Sequence, residues 1–209
     1  MRKTFLFSLL VVLCLPLYAQ KTISNTRLLR DGDLLFVVAG ESNAITEVTN
    51  YSNTPSIDHV GIFHRHGGQA MVLEATYEGV KETAMEQFLQ DAPHVLVGRI
   101  KGSFDAPGSM DKAHEYLGKP YDFIYFPGDD AIYCSELVML AYQDKKGAPI
   151  LAPIPMSFHD ASGRITPYWE DFYSRRNLDV PEGQPGSNPN ELSRRKCVKL
   201  KYQLHGIDK

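Results

Sequence analysis

The chain has 209 residues, of which 43% are hydrophobic and 22% are charged, and its formal net charge is -3. This composition is typical of a globular protein with enough apolar residues for one full core. No basic run is long enough to follow a phosphate backbone, so nucleic acid is excluded as an expected partner.

The first 19 residues have the pattern of a secretory signal peptide. Arg2 and Lys3 precede an apolar run, Phe5–Leu15, and the small residue Ala19 precedes the expected cleavage site. The run is too short to span a bilayer, and no later segment has the roughly 18 to 20 apolar residues that a membrane helix needs. We therefore expect an exported protein, periplasmic or extracellular, without a membrane-spanning helix.

The next segments predict a buried strand, a loop and a hairpin. The apolar run LLFVVAG at 34–40 has strand length, and the polar, turn-rich residues 41–56 predict a long surface loop. Two apolar segments, 59–63 and 70–75, flank the polar stretch HRHGGQ, which contains two glycines. This arrangement is typical of a β-hairpin.

The register of this hairpin decides which side chains meet. If the turn is centred near His66 and Gly67, the numbers of paired residues sum to about 133, which places His59 opposite Glu74. A slip of one residue would separate the two side chains.

The rest of the chain predicts three helices and two strands. Helix formers occupy 81–90, and HVLVGRI at 94–100 has the pattern of a strand. Ser109 has the properties of an N-cap for the next helix, and a further helix is predicted to begin at Cys134. The last strand candidate is the segment CVKLKYQL, 197–204. We predict an α+β fold in which an antiparallel sheet packs against the helix that begins with Cys134.

We expect one domain, residues 20–209, with a Pro- and Gly-rich extension from about residue 177. Loss of the signal peptide would leave Cys134 and Cys197, which in an oxidising compartment are a candidate disulfide. The competing hypothesis is catalytic, because a thiol at a helix N-terminus lies near unpaired N–H groups that favour the thiolate. His59 would then be the base, and Glu74 would hold its ring in place.

A further alternative is a metal site formed by Asp58, His59, His64 and His66. Strand alternation places His59 and His64 on opposite faces, and the last two histidines fall near the turn. We therefore predict no metal at this group.

Short motifs resemble those of the NlpC-type papain-like hydrolases, but their order along the chain is inverted. In that family, segments like G-x-P-Y and D-C-S-G-L precede G-D-L and H-V-G-I-Y. Here GDL (32–34), HVGIF (59–63) and LEA (73–75) precede GKPY (118–121) and YCSEL (133–137). The chain is therefore similar to the circularly permuted branch, the YiiX-like permuted papain amidases.

The resemblance implies a permuted papain-like fold and a cysteine amidase or peptidase activity. Cys134 is implied as the nucleophile, His59 as the base and Glu74 as the orienting residue, with no metal or organic cofactor. The implied substrate is a small peptide-like molecule, such as a cell-wall fragment, and we expect a monomer.

Three residues are implied to contact substrate: Tyr121 from the G-x-P-Y match, and Tyr133 and Ser135 on either side of the nucleophile. Tyr133 stands where the family has aspartate, and Glu136 stands where it has glycine. These departures indicate that contacts near the nucleophile differ from those of peptidoglycan-cleaving relatives.

Two other functions remain open at this point. Permuted relatives of the lecithin:retinol acyltransferase kind share the His-before-Cys order, which allows acyl transfer or thioester cleavage on lipids. A non-catalytic exported binding module of the same fold is the other, with the 41–56 loop and an aromatic group holding the ligand. That aromatic group is Tyr168, Trp169, Phe172 and Tyr173.

Overall fold

A computed structural model describes residues 21–22, 26–49, 55–92, 94–128 and 130–205. The expected signal peptide lies outside the described residues. The described strands are β1 (Lys21–Thr22), β2 (Asp33–Val38), β3 (Ile57–His66), β4 (Gln69–Thr76), β5 (Gly79–Ala84), β6 (His94–Ile100), β7 (Ile154–Pro155), β8 (Pro185–Gly186) and β9 (Val198–His205). The described helices are α1 (Ala44–Thr49), α2 (Met85–Asp91), α3 (Ala106–His114), α4 (Cys134–Ala141), α5 (Pro167–Ser174) and α6 (Pro189–Arg194), with a 3-10 turn at Thr26–Leu28.

Seven strands form one sheet in the order β1-β9-β6-β2-β3-β4-β5, and β7 pairs with β8 in a small second sheet. Within the large sheet every neighbouring pair is antiparallel except β1 and β9. The predicted α+β class, with an antiparallel sheet and packed helices, is confirmed. None of the helices in the described part of the chain has the length and hydropathy of a membrane span.

The sheet has a hydrophobic core on each face because residues along β2 alternate between the faces. Leu34 and Phe36 belong to one core, which also contains residues of α3 and α4, and Leu35 belongs to the other, which contains residues of α2. In α4, Leu137 and Val138 are fully buried, and burial of each stabilises the fold by about 1.5–3 kcal/mol. This packing fixes the position of α4 and of the thiol at its start.

The segment 81–90 was predicted to be one helix, and this was wrong. Its first residues belong to β5, which pairs with β4 through Leu73 and Glu82, and α2 begins only at Met85. The pairing partner that β4 offers outweighs the helix propensity of the segment, because strand preference depends mainly on context.

Two further local predictions were wrong. The segment 41–56 contains the helix α1, whose first backbone N–H groups donate to the Asn43 side chain. Helix α3 begins earlier than predicted, with Asp105 as the N-cap, and Ser109 is buried within it. The Ser109 hydroxyl instead accepts the N–H of Gln143 at 3.1 Å, which links α3 to the end of α4.

The segment after residue 177 packs against the rest of the domain. It contributes β8 and α6, and β9 then lies between β1 and β6 in the large sheet. Just before α6, the loop at Ser187 reaches the start of α4.

Candidate active site

Helix α4 begins at Cys134, as predicted, with Tyr133 as the N-cap residue. Glu136 contributes to this start, because its carboxylate lies 3.5 Å from the Tyr133 backbone N–H and accepts it. A carboxylate at the third helical position is a common way to satisfy an N-terminal backbone donor. The glutamate that departs from the family pattern therefore helps to cap the helix that carries the thiol.

His59 contacts both predicted partners. Its Nε2 lies 2.6 Å from Glu74 Oε2, and its ring is also hydrogen bonded to the Cys134 side chain. Because Nε2 is engaged by the carboxylate, Nδ1 is the nitrogen that faces sulfur. The structure thus brings Cys134, His59 and Glu74 together in one chain of contacts.

The register that had suggested this group was wrong, although the group itself forms. The hairpin turn is Gly67–Gly68, with φ of 58° and 83°, as a two-residue turn of type I′ requires. The numbers of paired residues therefore sum to 135, as for Ile62 and Leu73, instead of the predicted 133. A shift of two residues keeps each side chain on its predicted face.

Gly61 lies beside the contact between His59 and Glu74. The observed register, continued by one residue, places Gly61 opposite Glu74, so His59 approaches the carboxylate diagonally. A Cβ at Gly61 would lie 3.5 Å from Glu74 Cβ and 2.4 Å from Val72 Cγ1. The absence of a side chain at Gly61 therefore leaves room for Val72 on the strand that carries Glu74.

The electrostatics of the pair favour two charged groups. Burial opposes the charged form of His59, but hydrogen bonds and charge interactions with Cys134 and Glu74 outweigh it and raise the pKa of His59 to about 10. Burial likewise opposes ionisation of Glu74, which is 5% exposed. The bond to His59, its charge and that of Lys81 nevertheless lower the Glu74 pKa. Near pH 7 the imidazolium is held between a carboxylate and the sulfur.

Tyr121 lies beside the nucleophile, as the G-x-P-Y match implied. Burial, and then the proximity of Cys134 and Tyr125, raise the pKa of Tyr121 well above its ordinary value. Burial, and then the proximity of Cys134, raise the pKa of Tyr125 to about 12, although the hydrogen bond with Tyr121 opposes this shift. Both phenols are therefore neutral near pH 7 and can donate hydrogen bonds.

Tyr125 was not predicted as a site residue. Its φ of 53° lies in the left-handed region, which bulky residues rarely adopt, and its ring packs edge-on against Tyr133 and Trp169. Such strained residues cluster at functional sites. No spacing or composition signal in the sequence marks this conformation.

Tyr133 and Ser135 were predicted to contact substrate, and their hydroxyls bind the C-terminal segment. The Tyr133 hydroxyl accepts the Ser187 N–H at 3.0 Å, and the Ser187 hydroxyl donates to Ser135 at 3.0 Å. Tyr133 is 3% exposed and Ser135 is fully buried. Both residues line the small pocket beside Cys134, but their polar atoms hold Ser187 in place there.

Two hollows meet at the Cys134–His59 pair. A small pocket of about 60 Å³ contacts Cys134, and a larger groove of about 950 Å³ contacts His59 and Glu74. The residues that line both hollows are Ile45, Asp58, Tyr121 and Tyr125. The pair therefore lies along a cleft that continues on both sides of it, as the small pocket on one side and the larger groove on the other.

Asp58 is another site residue that the catalytic hypothesis missed. Its carboxylate accepts the Asn43 side-chain N–H at 2.7 Å, and Asn43 also caps α1. This links α1, within the segment predicted to be a loop, to the wall of the cleft.

The disulfide and the metal site considered in the sequence analysis can each be compared with the structure. Cys134 and Cys197 are both free thiols, so the structure does not contain the disulfide considered above. His64 and His66 contact Glu82 and do not join Asp58 and His59 in one group among the described residues.

The fold and site together define a permuted papain-like protein. The model of the permuted papain-like amidase enzyme family, YaeF/YiiX, matches residues 28–196, and the chain belongs to this family. The resemblance inferred from the motifs is therefore confirmed. The family is one of peptidases and amidases, which supports a hydrolase at that coarse level.

Two relatives illustrate the match. The uncharacterized protein YiiX of Escherichia coli strain K12 is 30% identical over 125 residues, which are 56% of this chain and 58% of that protein. The match thus spans less than two thirds of the relative's length. The crystal structure of the metalloprotein YiiX from Escherichia coli O157:H7 has a TM-score of 0.68 at 20% identity, covering 86% of this chain and 98% of that one. This second likeness shows the fold.

Proposed function

We propose that this chain is an exported cysteine amidase or peptidase in which Cys134 is the nucleophile, His59 the acid and base, and Glu74 the orienting carboxylate. The observation that carries the proposal is the position of His59, bonded to a buried carboxylate on one side and to a thiol at a helix start on the other. A nucleophile, a base and a group that orients the base are the arrangement typical of acyl transfer through cysteine.

In the proposed reaction the Cys134 thiolate attacks the carbonyl carbon of an amide, forming a C–S bond and a tetrahedral oxyanion. The backbone N–H of Cys134, in the first turn of α4, is the expected oxyanion donor. The His59 imidazolium then gives its Nδ1 proton to the leaving nitrogen as the C–N bond breaks. Water then attacks the resulting thioester while His59 takes a proton from it, the C–S bond breaks, and the acid product leaves with the Cys134 thiolate and the His59 imidazolium restored.

Glu74 acts through the histidine. Its carboxylate accepts the Nε2–H of His59, which fixes the ring orientation and stabilises the imidazolium. Because Glu74 is buried and ionised, it supplies this charge without competing for the substrate.

The cleft favours peptide-like substrates. Neutral tyrosine hydroxyls at Tyr121 and Tyr125 can donate to substrate carbonyls, and the Asp58 carboxylate at the junction of the two hollows suits a free amine. With export expected from the N-terminal segment, fragments of cell-wall peptides are the proposed substrate class.

The test is to trap the acyl-enzyme. Purified protein is mixed with activated peptide esters and, separately, with long-chain lipid acyl donors, and the covalent adduct is located by mass spectrometry. We expect a peptidyl adduct on Cys134, none in Cys134→Ser, and full labelling in Cys197→Ser, the matched control for the other free thiol. Labelling by lipid donors alone would favour the acyltransferase, and ligand binding without any adduct would favour the binding module.

A further inference from the structure

A second group of histidines lies on the same hairpin but outside the proposed active site. His64 and His66 on β3 and His114 at the end of α3 converge on one oxygen, Oε1 of Glu82 on β5. The distances to Glu82 Oε1 are 2.9 Å for His64 Nε2, 3.1 Å for His66 Nδ1 and 3.2 Å for His114 Nε2. The proposed catalytic residues lie on β3, β4 and α4 and include none of these four side chains. The group therefore takes no part in the reaction described above.

The position of the proton on His114 makes its contact with Glu82 unusual. Its Nδ1 lies 2.7 Å from the Met110 carbonyl oxygen, which can only accept, so Nδ1 carries the proton. In the neutral ring Nε2 then presents a lone pair to the Glu82 carboxylate oxygen, which also carries lone pairs. Two lone pairs in contact repel each other, so this contact is favourable only with a proton or a metal ion at Nε2.

His64 gives a second, independent sign of a missing partner. The residue is 4% exposed, and although its Nε2 lies 2.9 Å from Glu82 Oε1, that atom makes no hydrogen bond of acceptable geometry. A buried nitrogen without a partner is costly. It is directed at the same oxygen as the His114 lone pair.

We propose that His64, His114 and Glu82 bind a divalent transition-metal ion of the zinc type, with His66 at the solvent side of the site. The three ligand atoms lie within 4.8 Å of one another. Ligands bound to Zn²⁺ at about 2.0–2.1 Å in tetrahedral geometry are about 3.3 Å apart, close to the separations seen here. Two imidazoles and a carboxylate are a donor set that such ions prefer.

The arrangement around the ligands also fits a metal site. The Met110 carbonyl orients His114 in the way that outer hydrogen bonds orient metal-binding histidines. The site would connect β3 and β5 of the sheet with α3, which follows β6 in the chain. Metal binding would therefore stabilise the hairpin that carries the proposed catalytic histidine and glutamate, without entering the cleft.

The test uses protein with Cys134→Ser, so that the thiol cannot bind metal, after removal of metal with a chelator. Zn²⁺ is titrated by calorimetry, Co²⁺ spectra report the ligand type, and Tm is measured with and without Zn²⁺. We expect one Zn²⁺ per chain, a nitrogen and oxygen ligand spectrum, and a Tm rise of roughly 5–10 °C at 100-fold excess over Kd.

The site is then located by matched variants in the same background. Glu82→Gln and His114→Gln should weaken Zn²⁺ binding at least about 10-fold. His159→Gln, which breaks a similar His–Glu contact of 3.1 Å elsewhere, should leave it unchanged. Circular dichroism checks folding, and His114→Gln decides if Glu82→Gln does not fold. Absence of saturable Zn²⁺ binding, or unchanged affinity in the folded variants, would overturn the proposal and leave a histidine cluster that carries protons only.

Discussion

Two histidine–carboxylate groups lie on the same three strands, β3 to β5, and differ in what completes them. In the first, Glu74 binds one nitrogen of His59 and the other nitrogen faces the sulfur of Cys134. In the second, Glu82 receives imidazoles from both β3 and α3. The residue types are shared, but the third partner is a thiol in one group and a further imidazole in the other.

The difference shows how the third partner sets the chemistry. A thiol is a potential nucleophile, so a thiol beside a histidine that is itself held by a carboxylate suits the nucleophilic attack proposed above. Additional imidazoles bring lone pairs toward the same carboxylate, which suits a cation. The following predictions test this division, beginning with the largest expected effect.

Removal of the nucleophile should separate the two groups most clearly. Cys134→Ala should lower kcat/KM for a peptide amide by at least about 10³-fold, because no acyl-enzyme can form. Glu82→Gln should retain activity within about threefold, since Glu82 does not contact the cleft residues. Steady-state kinetics measure kcat/KM in both variants. Equal losses in the two variants would contradict a separate role for the two histidine groups.

Neutralising the orienting carboxylate should have the next largest effect. Glu74→Gln keeps a side chain of the same shape but removes the charge that stabilises the imidazolium, so kcat should fall about 10²-fold with KM changed by less than about threefold. Glu74→Asp, which keeps the charge, should be less impaired than Glu74→Gln. A loss confined to KM would assign Glu74 to substrate binding.

Gly61→Ala tests the packing of β3 against β4 beside the His59–Glu74 contact. The new Cβ would lie 2.4 Å from Val72 Cγ1, so we expect a loss of about 1–3 kcal/mol in the free energy of unfolding, measured by urea denaturation. Gly40→Ala is the matched control, because a Cβ there meets nothing within 4 Å. Equal stability of the two variants would show that the spacing at Gly61 is not constrained.

The pH dependence of stability gives the smallest expected effect. The His59 pKa rises from 6.5 to about 10 on folding, so its contribution is fully present below pH 6.5 and is lost as pH rises through about 10. Between pH 8.5 and 10 the wild type should lose about 1–2 kcal/mol more than His59→Gln. The lowered Glu74 pKa gives the opposite sign at acid pH: its contribution is present above 4.5 and is lost as pH falls through the lower folded value. Parallel urea midpoints in the two proteins would contradict the assigned ion pair.

Much of the site was predictable because its parts are local. The helix start at Cys134 follows from apolar spacing after a turn, and the faces of His59 and Glu74 follow from strand alternation. The hairpin register was not predictable to the residue, because either Gly67 or its neighbour Gly68 can contribute to the turn. The observed register differs from the predicted one by two residues. This difference leaves His59 and Glu74 on their predicted faces of the sheet, so the two side chains still meet.

The missing parts depend on tertiary contacts. Residues 81–84 became a strand because β4 offered a partner, which local propensity cannot reveal. The left-handed backbone of Tyr125 has no local signal in the sequence. The hydrogen bond from Ser187 to Ser135 joins two segments that are far apart in the sequence. The convergence of His64 and His114 on Glu82 likewise required α3 to pack over the hairpin.

The measurement that most directly tests the central claim is the pH dependence of iodoacetamide alkylation at Cys134, compared between wild type and His59→Ala. Glu82→Gln is the control from the other histidine group. We expect rapid alkylation below pH 7 in the wild type and in Glu82→Gln, and loss of this reactivity in His59→Ala. Slow alkylation that rises only near pH 8.5, as for an ordinary thiol, and that is alike in all three proteins would contradict a His59-paired nucleophile.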